Sequence, residues 1–527
     1  MLKRRLKLPG KILLALFLLF AAFLLCERWR GQIALANYKK ELRAKREKLS
    51  PQDFVTPISS LENGASAVWT GVERIQQGRI LPGSQPPRMR IMGSGRAIIG
   101  FREPFWIENG FFQEGEWVDV KVTNRWEHIA MDLSSNAPVL MEIRAAMARP
   151  VFFNELDYAG GPKMKIPHLV KAKTLAQWLS GEIALALHED RKADATAALR
   201  CQIQTPKLMA EDKVLIGELV RCAVAAIARV GTWEALQLEN WQDEELAAIQ
   251  GDWADQHFAN SMVAAMEREL MSMTITYDQL RASNDETYRM FEMLNLFGTM
   301  FESLAGDDES AHESASLWEN IPFQAELAEF WHRQIYCRTW RFAWSHQAEQ
   351  KALSEVYRAL VLMREAVTEK SYRTIRPAFE AYEAEEVPGY YDRIRFKIVS
   401  LMPTYSKTAL RPMRAETDRA LCLTAIALNR HALRHGNYPA KLDALVPEFL
   451  SAVPVDYMDG QPIKYRLNAD CSFTLYSAGD DGEDNGGDLT LPEGSKSRDL
   501  WRRKDYVWPA PATPEEIEQY RKNASRD

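Results

Sequence analysis

The densest group of chemically capable side chains in this chain is an acidic glycine loop, Gly479-Asp480-Asp481-Gly482-Glu483-Asp484-Asn485-Gly486-Gly487-Asp488. Five carboxylates between Asp480 and Asp488 repel one another unless neutralised, and the glycines let a short loop curl inward. Ca²⁺ asks for roughly six to eight oxygens in such a shell. Asp481, Asp484 and Asp488 are the expected carboxylate ligands, with backbone carbonyls near Ser477 completing the set. The spacing is not that of an EF-hand, and a solvated acidic turn has the same composition.

A second group runs from Trp331 to His346 and mixes tryptophans, arginines and histidines on one helix. Trp340 and Trp344 share a face, as do Tyr336 and Trp340. Such a stripe could stack sugar rings, or Cys337 could act as a nucleophile beside His332 or His346. Large aromatics are mostly buried, however, and nothing in the sequence lowers the thiol pKa, so packing explains the stripe more simply. His431 and His435 sit one helical turn apart without a third ligand nearby, and positive charge at a helix end accounts for them. Carboxylate pairs such as Glu267 with Glu269, or Asp307 with Asp308, lack a glycosidase setting. The chain has no His-Glu-x-x-His, phosphate loop, Gly-x-Ser-x-Gly or dinucleotide fingerprint.

The elements that hold the acidic loop are legible. Leu421, Ala425, Leu428, Ala432 and Leu433 predict a helix over 417–435, which Gly436 ends. Ile463, Tyr465 and Leu467 alternate with polar residues, as do Phe473 and Leu475, predicting a hairpin turned at 468–471. Tyr506-Val507-Trp508 offers a third strand.

This order continues with Gly436-Asn437-Tyr438-Pro439, Leu442-Asp443-Ala444-Leu445-Val446, Asp456 to Pro462 and Tyr476-Ser477 before the acidic loop. Over about 415–488 it resembles the globular end of the major pseudopilins of type II secretion. That resemblance implies a calcium ion in the last acidic loop. The chain departs from the family at its start, where Gly10-Lys11-Ile12 carries no following glutamate in the apolar run. It therefore borrows the module without being a pilin subunit.

Ile12 to Cys26 carries no charge and is flanked by Lys3, Arg4, Arg5, Lys7 and Lys11 before it and Arg28 after it. It reads as an uncleaved membrane anchor, short but within reach of a span if the flanking cations snorkel. Residues 35–50 continue as a charged helix. The stretch 51–122 reads as irregular, with Phe101, Phe105, Trp106, Phe111, Phe112 and Trp117 packing on the body.

Asn124, with Glu127 three residues on, predicts a capping box opening a helical body. Within that body Leu175, Leu179, Ile183 and Leu187 form one stripe, 188–192 is a turn, and Leu215–Ala235 is a further helix. Asp243 is the expected N-cap of the next. Gly306 to Ser316 reads as an exposed acidic loop, and the charged tail after Pro511 as frayed. Six cysteines show no Cys-x-x-Cys spacing and read as small apolar residues. A net charge of −6 with scattered basic residues argues against nucleic acid.

The expected fold is mainly α: an N-terminal transmembrane helix (1–34), a linker and aromatic-rich region (35–122), a helical-hairpin body (123–400), a small C-terminal α+β pseudopilin-like module (401–510) and a tail (511–527). The expected role is that of a bacterial inner-membrane protein with its bulk on the periplasmic side, binding proteins through its helical surface beside a secretion system. The alternative is an envelope glycan hydrolase with an all-helical catalytic body.

Overall fold

The uncharged run becomes the first half of α1 (Lys7–Ala44), where apolar side chains from Ile12 to Leu25 lie largely exposed. In this computed structural model the described residues are 7–54, 63–92, 95–113, 116–292, 329–384, 389–396, 405–491 and 500–524. Among them α1 is the one helix long and apolar enough to cross a membrane. Its second half turns to the body, burying Glu27, Gly31, Leu35 and Leu42.

After α1 come α2 (Ala65–Arg74), two short strands, β1 (Arg90–Ile91) and β2 (Arg96–Ile98), and a hairpin of β3 (Trp106–Gln113) with β4 (Glu116–Asn124). The region expected to be irregular thus carries a helix and four strands. Phe101 and Phe105 are buried as anticipated, and Phe105 meets Trp126 edge-on; the side chains of Trp106, Phe111, Phe112 and Trp117 lie outside the described ones. Asn124 caps no helix, because it ends β4. The helix that follows, α3 (Trp126–Met147), opens at Arg125 without a side-chain cap.

The body continues with α4 (His168–His188), α5 (Lys192–Gln204), α6 (Leu215–Ala235), α7 (Asp243–Ala254) and α8 (Ala259–Ala282). The α4 stripe of Leu175, Leu179, Ile183 and Leu187 is buried as its spacing demands. At α7 the cap is Gln242, in a reciprocal capping box with Glu245. Asp243 is instead the first helical residue, and its carboxylate accepts hydrogen bonds from Arg430 (2.7 and 3.1 Å) and Arg434. The Gly306–Ser316 segment lies outside the described residues.

A helix over 284–292 and two π-helical turns, Trp331–Tyr336 and Trp340–Trp344, lead into α9 (Ser345–Glu369). α10 (Tyr372–Glu383) and the short α11 (Gly389–Arg395) precede α12 (Tyr405–His435), which begins twelve residues before the expected start at 417. α12 is the hub. Most residues from Tyr405 to Leu428 are buried, against α6, α7, α8, α9, α10 and the C-terminal sheet. Gly436 follows at φ 76°, the left-handed position that ends the helix.

The hairpin forms in the expected register, β5 (Lys464–Leu467) with β6 (Phe473–Ser477), and β7 (Tyr506–Val507) adds to β6. β8 (Ala510–Pro511) then runs parallel to β2, and the tail folds as α13 (Pro514–Ala524). A frayed tail is corrected by its own local signal: the Thr513 hydroxyl accepts from the Glu516 amide while the Glu516 carboxylate accepts from the Thr513 amide. The main apolar cluster runs without a break from Leu35 on α1 to Trp508 beyond β7. The C-terminal strands therefore share one core with the helices.

Candidate functional site

Asp481, Asp484 and Asp488 are each turned back onto their own loop. Asp481 accepts from the Glu483 amide (2.9 Å), Asp484 from the Gly486 amide (2.9 Å) and the Tyr476 hydroxyl (3.0 Å). Asp488 accepts from the Thr490 amide (2.9 Å) and hydroxyl (3.0 Å) and from Lys504 (3.1 Å). These are turns in which an aspartate bonds the backbone two residues on.

The loop closes around a fixed anion. The buried Asp505 carboxylate accepts from the amides of Asn485 (3.2 Å), Gly487 (2.8 Å) and Asp488 (2.8 Å). Arginines supply the neutralisation that the loop's charge demands. Arg373 donates to the Gly482 carbonyl (3.0 Å), Arg376 to the Asp480 carbonyl (3.2 Å), and Arg414 grips the Asp480 carboxylate. Among the described residues no three His, Cys, Asp or Glu side chains come together in a way that could hold a metal ion. As arranged, the donor set does not fit a calcium shell, because its carbonyls and carboxylates already face cations and amides.

Beside this loop stands a second buried carboxylate. Asp456 has no exposure and accepts from the Met458 amide (3.0 Å), the Ser477 hydroxyl (2.8 Å), the Ala478 amide (2.9 Å), Lys464 (2.8 Å) and the Thr417 hydroxyl (3.3 Å). It ties α12 to β5, β6 and the turn at 456–461 in one contact.

The Trp331–His346 helix is divided between two uses. Cys337 and Trp340 have no exposure, Trp344 is buried, and all three pack with Tyr277, Leu280 and Phe291. Neither a sugar platform at Trp340 and Trp344 nor an accessible Cys337 thiolate is available on that face. The opposite side presents Phe330, Trp331, Ile335 and Phe342 outward. His431 serves its helix end, its Nδ1 lying 2.8 Å from the Asn437 carbonyl oxygen. Cys201, Cys222 and Cys422 are buried too, with burial raising each thiol's pKa; Cys26 and Cys471 are exposed.

Sequence reasoning missed three other polar centres, each assembled from distant segments. His168 Nε2 lies 2.7 Å from Asp212, which also accepts from Asn154 (2.8 Å); Asn154 accepts in turn from the Trp69 indole (2.7 Å). Glu234 borders a cavity of about 40 Å³ walled by Pro86, Pro87, Phe101, Ile183 and Leu187, space for water rather than a substrate. It accepts from the Gly100 amide at 2.9 Å, and burial pushes its carboxyl up to about 7.

The third centre joins α1 to the body. Gln347 donates to the Glu27 carbonyl (2.8 Å) and carboxylate (3.0 Å), and the Tyr391 hydroxyl donates to the same carboxylate (2.8 Å). Farther along, Glu349 pairs with Lys39 (2.5 Å) and Arg281 (2.6 Å), and Arg364 pairs with Glu47 (2.6 Å) and Glu267 (2.7 Å). Compared with protein-family models, with curated proteins and with solved structures, the chain matches none.

Proposed function

We propose that this is a membrane-tethered binding protein of the bacterial envelope, with its bulk on the periplasmic side, that holds partner proteins on its helical surface. One observation carries the reading: α1 is exposed and apolar over one half and built into the body by buried polar contacts over the other. A helix divided in this way fixes a body to a bilayer rather than trailing it on a leash. The likeness of 415–488 to the pseudopilin module supports placing the partners in a type II secretion or related system, by analogy alone.

The test uses intact cells. A membrane-impermeant maleimide should label exposed Cys471 without lysis, and photo-cross-linkers on the outer faces of α3 and α5 should trap the same neighbours repeatedly. Labelling only after lysis would reverse the orientation, and no reproducible neighbour would remove the binding role. Calcium at Asp481, Asp484 and Asp488 belongs to the same proposal only as a rearranged loop that exchanges its arginine and amide contacts for an ion. The full chain should then melt higher in calcium than in chelator, with about 2.7 kcal/mol gained at a hundredfold excess over Kd. Equal melting temperatures would leave the loop to Asp505, the three arginines and its own aspartate turns.

A further inference from the structure

Contacts along α1 and the turn that follows it advance together with α9: Glu27 meets Gln347 at 3.0 Å, Lys39 meets Glu349 at 2.5 Å and, just past α1, Lys45 lies over the Tyr357 ring at 4.8 Å and Glu47 meets Arg364 at 2.6 Å. The two helices therefore run parallel. Followed backward from Gln347, the chain through Trp344 and Trp340 to Trp331 leads toward the apolar end of α1. Contacts mark this path: Arg28 donates to the Phe342 carbonyl at 3.2 Å and lies over its ring, while Leu24 packs on the cluster of Trp340 and Trp344.

Along it Trp331, Ile335 and Phe342 fall on one stripe with the exposed Arg338, while Cys337, Trp340 and Ala343 are buried on the other side. With Phe330, and with Trp29 and Ile33 on α1, these large apolar side chains are 40% to 68% exposed.

The anchor's length points the same way. Ile12 to Cys26 is 15 residues, about 22 Å of helix, against a hydrocarbon core of about 30 Å. Carried on to Ile33 the exposed apolar side reaches 22 residues, interrupted by charges that the body holds at Glu27 and Arg28 and that Glu27 holds at Arg30. Glu27 is buried under Gln347 and Tyr391, Arg28 covers Phe342, and Arg30 pairs with Glu27 at 3.1 Å.

We infer that the bilayer surface covers this second face, with Trp29, Ile33, Phe330, Trp331, Ile335 and Phe342 set into the interfacial layer and Arg338 at the headgroups. Tryptophan and arginine beside aliphatic side chains are the composition that the headgroup boundary selects. The body then rests against the membrane and is held by two elements. The inference rests on α1 being the anchor.

The experiment uses the full chain in proteoliposomes after Cys26→Ser and Cys471→Ser. An environment-sensitive fluorophore is placed at Leu19→Cys in the anchor, Ile335→Cys or Phe342→Cys on the proposed face, or Leu467→Cys in the hairpin. Quenching lipids carrying the spin label at shallow or deep positions are then added. The expected result is a loss of about twofold or more at positions 335 and 342, greatest with the shallow quencher, with deep quenching at 19 and none at 467. Quenching at 19 without quenching at 335 and 342 overturns the inference and leaves the anchor. A dry, blue-shifted label at 335 that lipid does not quench also overturns it, because protein then covers the face. No quenching at 19 removes the anchor, whatever position 335 does.

Discussion

Two of the regions that bury carboxylates satisfy them in opposite ways. In the C-terminal sheet Asp456 and Asp505 are caged largely by amides and hydroxyls from nearby residues: Met458, Ser477 and Ala478 for one, Asn485, Gly487 and Asp488 for the other. Where α1 meets α9, Glu349 and Glu47 face the cations Lys39, Arg281 and Arg364, and α1 is separated from its partners by some three hundred residues. A cage of amides forms as its own loop folds. A cation brought from across the chain arrives only when the whole fold does. The C-terminal sheet is thus ordered by local geometry, and the α1 contact by global assembly.

The largest expected loss comes from emptying a cage. Asp456→Ala leaves Lys464 to Asp459 alone and orphans two amides and two hydroxyls, so unfolding by denaturant in mild detergent should become easier by about 3–5 kcal/mol. A loss below about 1 kcal/mol would mean that the cage is filled by water and that the contrast between the regions is false. Glu349→Ala should cost less, roughly 2–3 kcal/mol, because Lys39 and Arg281 each keep some solvent. Its signature is regional: amide exchange in 27–44 and 345–369 should quicken while 464–477 stays protected. Uniform acceleration would show that the two regions unfold as one.

Glu234 sharpens the comparison, since backbone amides such as that of Gly100 face it, yet burial outweighs them and the nearby Arg102 charge. Its folded pKa of about 7 exceeds the unfolded value near 4.5. Between those values the folded state keeps a proton that the unfolded state releases, so stability falls as pH rises through that window and does not recover above it. Relative to Glu234→Gln, the wild-type chain should lose about 1–3 kcal/mol between pH 4.5 and 7.5 in parallel denaturation curves. Parallel pH profiles for the two proteins would show the carboxyl to be as well satisfied as those in the cages.

The same division explains what could be read from the sequence. Gly436, the alternation at 463–475 and the stripe from Leu175 to Leu187 are local signals, and the structure realises them where they stand. The helical tail was also legible, since Thr513-Pro514-Glu515-Glu516 carries a capping box with proline in the first turn. Asp243 was misjudged because nothing nearby announces Arg430 and Arg434, which draw its carboxylate from the cap. The acidic loop shows the limit most clearly. Its charge demanded neutralisation, but Arg373, Arg376 and Arg414 lie more than sixty residues earlier, on helices whose packing no local pattern encodes.

The distance in sequence between α1 and its partners also sets a clock. Glu27 leaves the ribosome 320 residues ahead of Gln347 and 364 ahead of Tyr391. At about 5–20 residues per second, that delay is roughly 15 to 75 seconds. Throughout it Glu27 and Lys39 on α1, and Glu47 just past it, wait for their distant partners in water, beside their own helix's charges or held by another factor. The helix made early is closed over late, and β2 waits longer still, for β8.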